Sequence, residues 1–216
     1  MKIGIVGGTG DIGEGLALRL SYQHEVILGS RDEDKACAVS SSTIASLQER
    51  GLCSMCRGVC NQEAVDEGDL VILAVPYAHV VSTITSLSGF EDKIVISPVN
   101  PIARSEYFYY NPPQEGSAAL LIKNMLPNTA KLVAAFNNIA ANKWKQLDEE
   151  LNYSVAVCGD DPEAKEVVKN LVNSIQGLCA FDAGPLAMSS IVESITPLLL
   201  NIARYNKMKD VGIQFI

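Results

Sequence analysis

The apolar residues of the chain alternate between short β-rich runs and longer segments with helical spacing. Continuous apolar runs of this length are typical of strands buried on both faces of a parallel sheet. These runs are residues 2–6, 25–29, 69–75, 93–97, 131–136, 153–158 and 178–182, with one more short strand expected within 53–60. A helix is predicted between the first two strands, where Ile12, Leu16 and Leu20 are spaced four apart as a stripe that faces the core. Other helices are predicted at about 33–48, 116–126, 162–175 and 188–206. Alternating strands and helices predict a doubly wound α/β sheet.

Two segments depart from this alternation. Residues 98–115 contain four prolines and four aromatic residues, which predicts an irregular connection of the kind that often forms a binding lid. Residues 187–206 carry Ile191, Ile195, Leu198 and Ile202 at helical spacing, and Pro197 is expected to kink this helix. A helix this apolar either covers the domain or joins two subunits.

Composition narrows the functional classes. Of the 216 residues, 48% are apolar and 19% are charged, so the chain is expected to fill the core of one sizeable domain. The net charge of −8 gives no electrostatic help toward nucleic acid or an anionic membrane. No uninterrupted apolar stretch approaches the ~18 residues of a membrane span, and Met1-Lys2 leads directly into the first strand without a signal peptide. We therefore expect a cytoplasmic protein.

The strongest chemical signal is Gly8-x-Gly10-x-x-Gly13, directly after a strand and at the start of a helix. In this context the motif is the fingerprint of a Rossmann dinucleotide site. Gly8 is predicted to permit the tight turn, Gly10 to let the backbone approach the pyrophosphate, and Gly13 to let the helix pack on the strand. The helix N-terminus offers free N–H groups to phosphates. Asp11 is interpreted as the N-cap of this helix, at some loss of phosphate affinity.

The end of the second strand predicts which dinucleotide is bound. NAD enzymes usually hold the ribose diol with a carboxylate at this point, whereas this chain has Ser30 and Arg31. Arg31 offers a bidentate contact to a 2′-phosphate, and Lys35 adds positive charge one helical turn later. The sequence therefore favours NADP over NAD.

The cysteines and histidines are given structural interpretations. Cys53, Cys56 and Cys60 offer three thiols without a nearby fourth ligand, so a short strand is favoured over a metal site. His79 follows the fourth strand on the ligand side of the sheet, where a helix start is favoured over a catalytic role. No catalytic residue and no metal are assigned.

Motifs along the whole chain resemble the NADPH-dependent coenzyme F420 reductases, also called F420H2:NADP oxidoreductases, which are typical of methanogenic and related archaea. The resemblance rests on the glycine-rich opening at 7–20, Gly-Ser-Arg at 29–31, Val-Pro-Tyr-Ala-His at 75–79, Val-Ile-Ser-Pro at 95–98, Val-Cys-Gly-Asp-Asp at 157–161, Asp-Ala-Gly-Pro-Leu at 182–186, Val-Glu-Ser-Ile-Thr-Pro-Leu-Leu-Leu-Asn-Ile at 192–202 and Gly-Ile-Gln-Phe-Ile at 212–216.

The resemblance implies a homodimer whose subunit has an NADP-binding Rossmann domain, residues 1–150, extended by a smaller part, residues 151–216. It also implies hydride transfer between NADP(H) and the deazaflavin. The implied NADP contacts are Thr9, Gly10, Asp11, Ile12, Ser30, Arg31, Lys35, Val75 and Asn100, with Ala141 near the nicotinamide. The implied deazaflavin contacts are Ser97, Pro98, Val99, the terminal helix and Asn137, where the family often has His.

Two other functions compete with this one. Related Rossmann domains reduce other small acceptors, such as an imine, a flavin or a ferric chelate. A non-catalytic NADP sensor that binds partners is the alternative from a different class. If hydride passes directly between two cofactors, no protein acid or base is required, since the cofactors supply the chemistry.

Overall fold

The computed structural model describes residues 1–216, in which strands and helices alternate along the chain. The strands are β1 (Lys2–Val6), β2 (Glu25–Ser30), β3 (Cys56–Cys60), β4 (Leu70–Leu73), β5 (Ile94–Ser97), β6 (Ile102–Arg104), β7 (Phe108–Tyr110), β8 (Lys131–Ala134), β9 (Tyr153–Gly159) and β10 (Leu178–Asp182). The helices are α1 (Asp11–Leu20), α2 (Glu33–Gln48), α3 (Asn61–Glu67), α4 (Val80–Thr85), α5 (Ala118–Met125), α6 (Ala141–Lys145), α7 (Pro162–Ser174) and α8 (Ser189–Tyr205).

Eight strands form one sheet in the order β10-β9-β8-β5-β4-β1-β2-β3. The six strands from β3 to β8 in this order run parallel, whereas β9 and β10 run parallel to each other and antiparallel to β8. The predicted doubly wound α/β fold is therefore confirmed. The strand order reverses at β1, whose neighbours are β2 and β4, and this reversal is where α/β sheets usually bind ligands.

Apolar side chains fill both faces of the sheet. One cluster of 28 buried residues includes side chains from α1, α2, α6 and α7, and a second cluster of 20 includes side chains from α4, α5 and α8. The predicted stripe on α1 is confirmed, because Leu16 and Leu20 are fully buried and Ile12 packs against them at the edge. The two layers of helices bury the sheet between them, as a parallel sheet requires.

The predicted elements are found with small differences at their ends. The larger differences concern a hairpin, three short helices and the proline within α8. Residues 98–115, expected to be irregular, hold the antiparallel hairpin β6–β7. Helices α3 and α6 were not predicted, and of α4 only the start at His79 was, since each has only five to seven residues and is too short to show a period. Helix α8 continues through Pro197 to Tyr205, so the proline does not end the helix, and the expected kink stays a prediction.

Helix α8 has a mixed environment. Residues 186–205 are long and apolar enough to cross a membrane by length and composition alone, a test that core helices also pass. One face is buried against the domain through Val192, Glu193 and Leu199. On the other face Ile191 and Leu198 are 59% and 57% exposed. The helix therefore covers the domain and also presents an unpartnered apolar surface.

Candidate cofactor-binding site

A continuous cleft lies where the parallel strands end, at the point where the strand order reverses. Its polar compartment has a volume of about 350 Å³ and its apolar compartment about 410 Å³. Both compartments are lined by Gly10, Ala74, Val75 and Pro76, so they adjoin. A third, smaller pocket of about 260 Å³ continues from the apolar compartment along α8. The two compartments together offer room for two ligand groups of different polarity.

The three glycines of the motif, Gly8, Gly10 and Gly13, have different roles in the structure. The left-handed conformation is at Gly7, with φ of +76°, and not at Gly8, so the predicted role of Gly8 in the tight turn is wrong. Gly8 instead packs under Leu28, whose Cγ would lie 2.5 Å from a Cβ at that position. A Cβ on Gly13 would lie 2.6 Å from the Cα of Gly8, which confirms that Gly13 permits close packing of α1 on the loop.

Gly10 faces open space. The nearest atom to a Cβ at Gly10 would be the carbonyl oxygen of Gly7 at 3.5 Å. The first hydrogen bond of α1 is donated by Glu14 N–H to the Gly10 carbonyl. The N–H groups of Asp11, Ile12 and Gly13 therefore have no acceptor within the chain. Three free donors at a helix N-terminus with open space before them fit a phosphate group.

Asp11 is not the cap of this helix. Gly10 is the N-cap, and Asp11 is the first helical residue without a side-chain capping bond. The Asp11 carboxylate instead accepts a hydrogen bond from the Lys145 ammonium at 3.0 Å. The cap interpretation was wrong because a residue of α6, 134 positions further along the chain, supplies the partner.

The predicted 2′-phosphate residues meet in the polar compartment. Ser30, Arg31 and Lys35 line it together with Thr9, whose hydroxyl lies 3.4 Å from that of Ser30. Arg31 and Lys35 take part in none of the ion pairs of the chain. The one carboxylate that lines the compartment, on Asp32, accepts from the backbone N–H of Lys35 and caps α2. Two unpaired cations thus face the compartment.

Sequence reasoning missed Asn61 in this compartment. Its Oδ1 accepts a hydrogen bond from the N–H of Gly7 at 3.1 Å and so holds the start of the glycine loop. Asn61 is the first residue after β3, at the same sheet edge as the other site residues. A polar residue at the end of a strand was the signal in the sequence that could have identified Asn61.

His79 ends a short 3-10 turn and is the N-cap of α4, which confirms the predicted helix start. Its side chain lies exposed on the rim of the polar compartment.

The apolar compartment collects residues from five separate parts of the chain. The predicted residues Asp11, Ile12, Val75, Pro98, Val99, Asn100, Asn137 and Ala141 all line it. Ser97 does not reach the cleft, because it is fully buried and its hydroxyl accepts from the N–H of Val99. Gly8 and Gly13 also lie beneath the cleft rather than on its wall. Tyr77 and Ile102 were not predicted for this wall, whereas Thr196 and Leu200 belong to the terminal helix that the resemblance places near the deazaflavin.

Asn137 has an unsatisfied acceptor in this wall. Its amide Nδ2 donates to the Val99 carbonyl at 3.1 Å and to Asn100 Oδ1 at 3.2 Å, while Asn100 Nδ2 donates to the Asn137 carbonyl. These bonds fix the amide orientation, since both neighbours of Nδ2 are acceptors. Oδ1 has no partner although Asn137 is only 3% exposed. A buried acceptor of this kind fits a ligand that brings an N–H donor.

The backbone just before Asn137 is strained. Phe136 has φ of +66° although it is an aromatic residue, and its ring packs edge-on against Trp144. Such a conformation costs on the order of 1–3 kcal/mol and persists only where neighbours enforce it. The turn after β8 therefore places Asn137 in the wall at some cost in stability.

A buried carboxylate ties the hairpin to α8. Glu193 is fully buried and accepts hydrogen bonds from Ala118 N–H, Ala119 N–H and the Tyr110 hydroxyl. Burial raises the pKa of Glu193, and these hydrogen bonds oppose the shift. Asn201 of α8 also pairs with both the N–H and the carbonyl of Phe108. The hairpin is thus held on α8 at the side of the apolar compartment.

The cysteines do not assemble into a site. Cys53 is exposed, Cys56 is buried and Cys60 is intermediate, and burial raises the pKa of the Cys56 thiol to about 12. No group of three His, Cys, Asp or Glu side chains converges in a way that could hold a metal ion. The absence of a functional metal stays a prediction.

The fold and the cleft together define a Rossmann-type dinucleotide-binding protein. A family model described as NADP oxidoreductase, coenzyme F420-dependent, matches residues 2–101. The F420-dependent NADP reductase of Methanocaldococcus jannaschii is 40% identical, covering 99% of this chain and 97% of the relative. The corresponding reductase of Methanothermobacter thermautotrophicus is 35% identical, covering 99% of this chain and 94% of the relative. The chain belongs to the F420-dependent NADP reductase family.

A solved structure shows the same fold over the whole chain. A protein from Arthrobacter sp. FB24, provisionally assigned as an F420-dependent NADP reductase, superposes with a TM-score of 0.81. It covers 100% of this chain and 99% of its own at 22% sequence identity. At this identity the likeness supports the fold alone.

Proposed function

We propose that this protein transfers hydride between NADP(H) and the deazaflavin coenzyme F420. The observation that carries the proposal is the pair of adjoining compartments in one cleft, one with free N–H donors and two unpaired cations, the other largely apolar. A dinucleotide phosphate end suits the first, and stacked rings suit the second. The family to which the chain belongs carries the same pairing of cofactors in its name.

The polar compartment would hold the dinucleotide by its charged groups. The free N–H groups of residues 11–13 would donate to the pyrophosphate. Arg31 and Lys35 would bind the 2′-phosphate, with Ser30 and Thr9 donating hydroxyl hydrogen bonds. Gly8 and Gly13 would contribute from beneath by permitting the close packing of loop and helix. NADP is therefore the expected dinucleotide.

The apolar compartment would bring the two reacting rings together. When bound, NADP(H) and coenzyme F420 supply the hydride donor and the hydride acceptor. The chain's task is to exclude water and to fix the rings with their reacting carbons ~3–3.5 Å apart, which lowers the entropic part of the barrier. Val75, Pro98, Val99 and Ala141 offer compact surfaces for this approach, with Ser97 supporting them from behind. No side chain acts as an acid or a base.

Asn137 would recognise a ring through its free acceptor. The fixed amide leaves Oδ1 without a partner, so this oxygen would accept a hydrogen bond from an N–H donor, such as one on the deazaflavin ring. Asn137→Leu should raise the KM for the deazaflavin by about tenfold, the loss expected for one buried hydrogen bond, and leave the Kd for NADPH within a factor of two. Equal weakening of both ligands would contradict this assignment.

The reaction itself is tested by a panel of acceptors. Protein is mixed with NADPH and, in separate reactions, with coenzyme F420, a cyclic imine, a flavin and a ferric chelate. Loss of the deazaflavin's visible absorbance supports the proposal, whereas turnover only with another acceptor supports a different reductase. Tight binding of NADPH without turnover of any acceptor would identify a sensor instead.

The proposal includes the organisation of the protein. Residues 1–150 form the NADP-binding domain, and residues 151–216 extend its sheet through β9 and complete the cleft through α8. The exposed apolar face of α8 supports a homodimer. We also propose that the protein lies in the cytoplasm and has no nucleic-acid, membrane or metal partner. Light scattering should give twice the mass of one chain, and Leu198→Glu should reduce it; a mass near 23.2 kDa for the unaltered protein would contradict the dimer.

A further inference from the structure

Two carboxylates occupy the end of α1 where the proposed pyrophosphate site lies. Asp11 is the first residue of the helix and Glu14 the fourth, and Asp11 also lines the apolar compartment beside Gly10. The three free N–H groups of this helix end attract an anion, but two fixed negative charges next to them repel one. Without compensation, this loop would be a poor site for a diphosphate.

One side chain compensates both carboxylates. The Lys145 ammonium lies 3.0 Å from Asp11 Oδ1 and 2.5 Å from Glu14 Oε2, and these contacts raise its pKa. Lys145 is the last residue of α6, and the N-cap Ala140 and first residue Ala141 of this helix lie in the wall of the apolar compartment. A single cation thus spans the first turn of α1 from a distant part of the chain.

The position of Lys145 does not depend on its ion pairs. Neighbouring Trp144 is fully buried against α1, where a Cβ on Gly15 would lie 2.1 Å from the Trp144 Cβ. The buried guanidinium of Arg19 donates to the Trp144, Gln146, Lys143 and Glu149 carbonyls and fixes the end of α6. Ion pairs as exposed as those of Lys145 contribute little to stability. Replacement of Lys145 should therefore leave the fold intact.

We propose that Lys145 is a positioning residue of the dinucleotide site: it neutralises Asp11 and Glu14 so that the N-terminus of α1 accepts the pyrophosphate. This role rests on the proposed function, because it requires a dinucleotide in the cleft. The role of Lys145 differs from that of Arg31 in the part of the dinucleotide on which it acts. The pyrophosphate is common to NADPH and NADH, so Lys145 should act on both, whereas Arg31 should act on NADPH alone.

The test compares dissociation constants for NADPH and NADH at low ionic strength, where exposed charges act most strongly. Lys145→Met should weaken both ligands by the same factor, about tenfold, the effect of about one unit charge at close range. The control is Lys143→Met, which removes the same charge from the same helix but from a pair with Glu149 away from α1. It should change neither constant by more than about twofold.

Rescue separates neutralisation from a structural role. In the triple variant Lys145→Met, Asp11→Asn, Glu14→Gln no carboxylate needs compensation, so both ligands should bind at least as tightly as to the unaltered protein. Thermal unfolding of each variant without ligand checks the fold. Unchanged binding in Lys145→Met, weakening of NADPH alone, or a triple variant as weak as Lys145→Met would each overturn the role of Lys145. If the unaltered protein bound neither dinucleotide, the proposed function would fail and this role with it.

Discussion

The two compartments of the cleft are built from the chain in different ways. The polar compartment depends mainly on the ends of β1 and β2 and the first turns of α1 and α2, all within the first 35 residues apart from Asn61 and the rim after β4. The apolar compartment needs residues from around positions 11, 75, 100, 140 and 200. A local motif can encode the first, whereas only the completed sheet, hairpin and α8 create the second.

This difference between the compartments explains which site residues could be predicted from the sequence. Strand and helix periodicity predicted the sheet, and the glycine spacing with Ser30, Arg31 and Lys35 predicted residues that the structure brings together. Asn61 and Lys145 were missed because their partners, Gly7 and Asp11, lie 54 and 134 residues away. The wall residue Asn137 was expected only from the family resemblance, since nothing local marks it as a neighbour of Thr196.

The largest effect is expected within the glycine motif, where two glycines separate folding from binding. Gly13→Ala places a Cβ against backbone atoms of Gly8 and should destabilise the protein by about 2–3 kcal/mol. Gly10→Ala meets nothing closer than 3.5 Å and should change stability by less than about 0.5 kcal/mol. Its methyl group would nevertheless obstruct the phosphate, so NADPH affinity should fall by at least about tenfold. Urea unfolding and NADPH titration measure the two effects, and similar stability losses in both variants would contradict the division.

Arg31→Ala should weaken NADPH binding and leave NADH binding nearly unchanged. The unpaired guanidinium in the polar compartment offers a charge-assisted bidentate contact, whose loss costs roughly 1.5–3 kcal/mol. Michaelis constants for the two dinucleotides, measured with the same acceptor, give the comparison. Arg50→Ala is a matched control, because Arg50 pairs with Asp148 outside the cleft. Equal weakening of NADPH and NADH by Arg31→Ala would sink the assignment.

Glu193, which holds the hairpin on α8, should make the free energy of unfolding depend on pH. Its pKa in the folded protein is raised by burial above the unfolded value near 4.5, so folding favours the protonated form. The contribution to stability is therefore fully present below that unfolded value and is lost as pH rises through the raised one. Unfolding free energies of the unaltered protein minus those of Glu193→Gln should fall with rising pH in this window, by at most about 1.4 kcal/mol per pH unit. A difference that increases with pH would reverse the sign and contradict this role.

The smallest effect is expected for His79, which lies exposed on the rim of the polar compartment. His79→Ala should reduce single-turnover hydride transfer by less than about tenfold, because no general acid or base is needed and loss of one costs roughly 10²–10⁴-fold. A thousandfold loss with both cofactors still bound would show that the transfer is coupled to a proton held by His79.

The central claim is that the apolar compartment brings the nicotinamide and the deazaflavin into direct contact for hydride transfer. NADPH carrying deuterium at the transferable position of the nicotinamide, mixed with the protein and oxidised coenzyme F420 in ordinary water, tests this in one product analysis. Direct transfer predicts reduced deazaflavin that carries one deuterium per molecule. Reduced deazaflavin without deuterium, or NADPH oxidised while the deazaflavin stays unreduced, would contradict it.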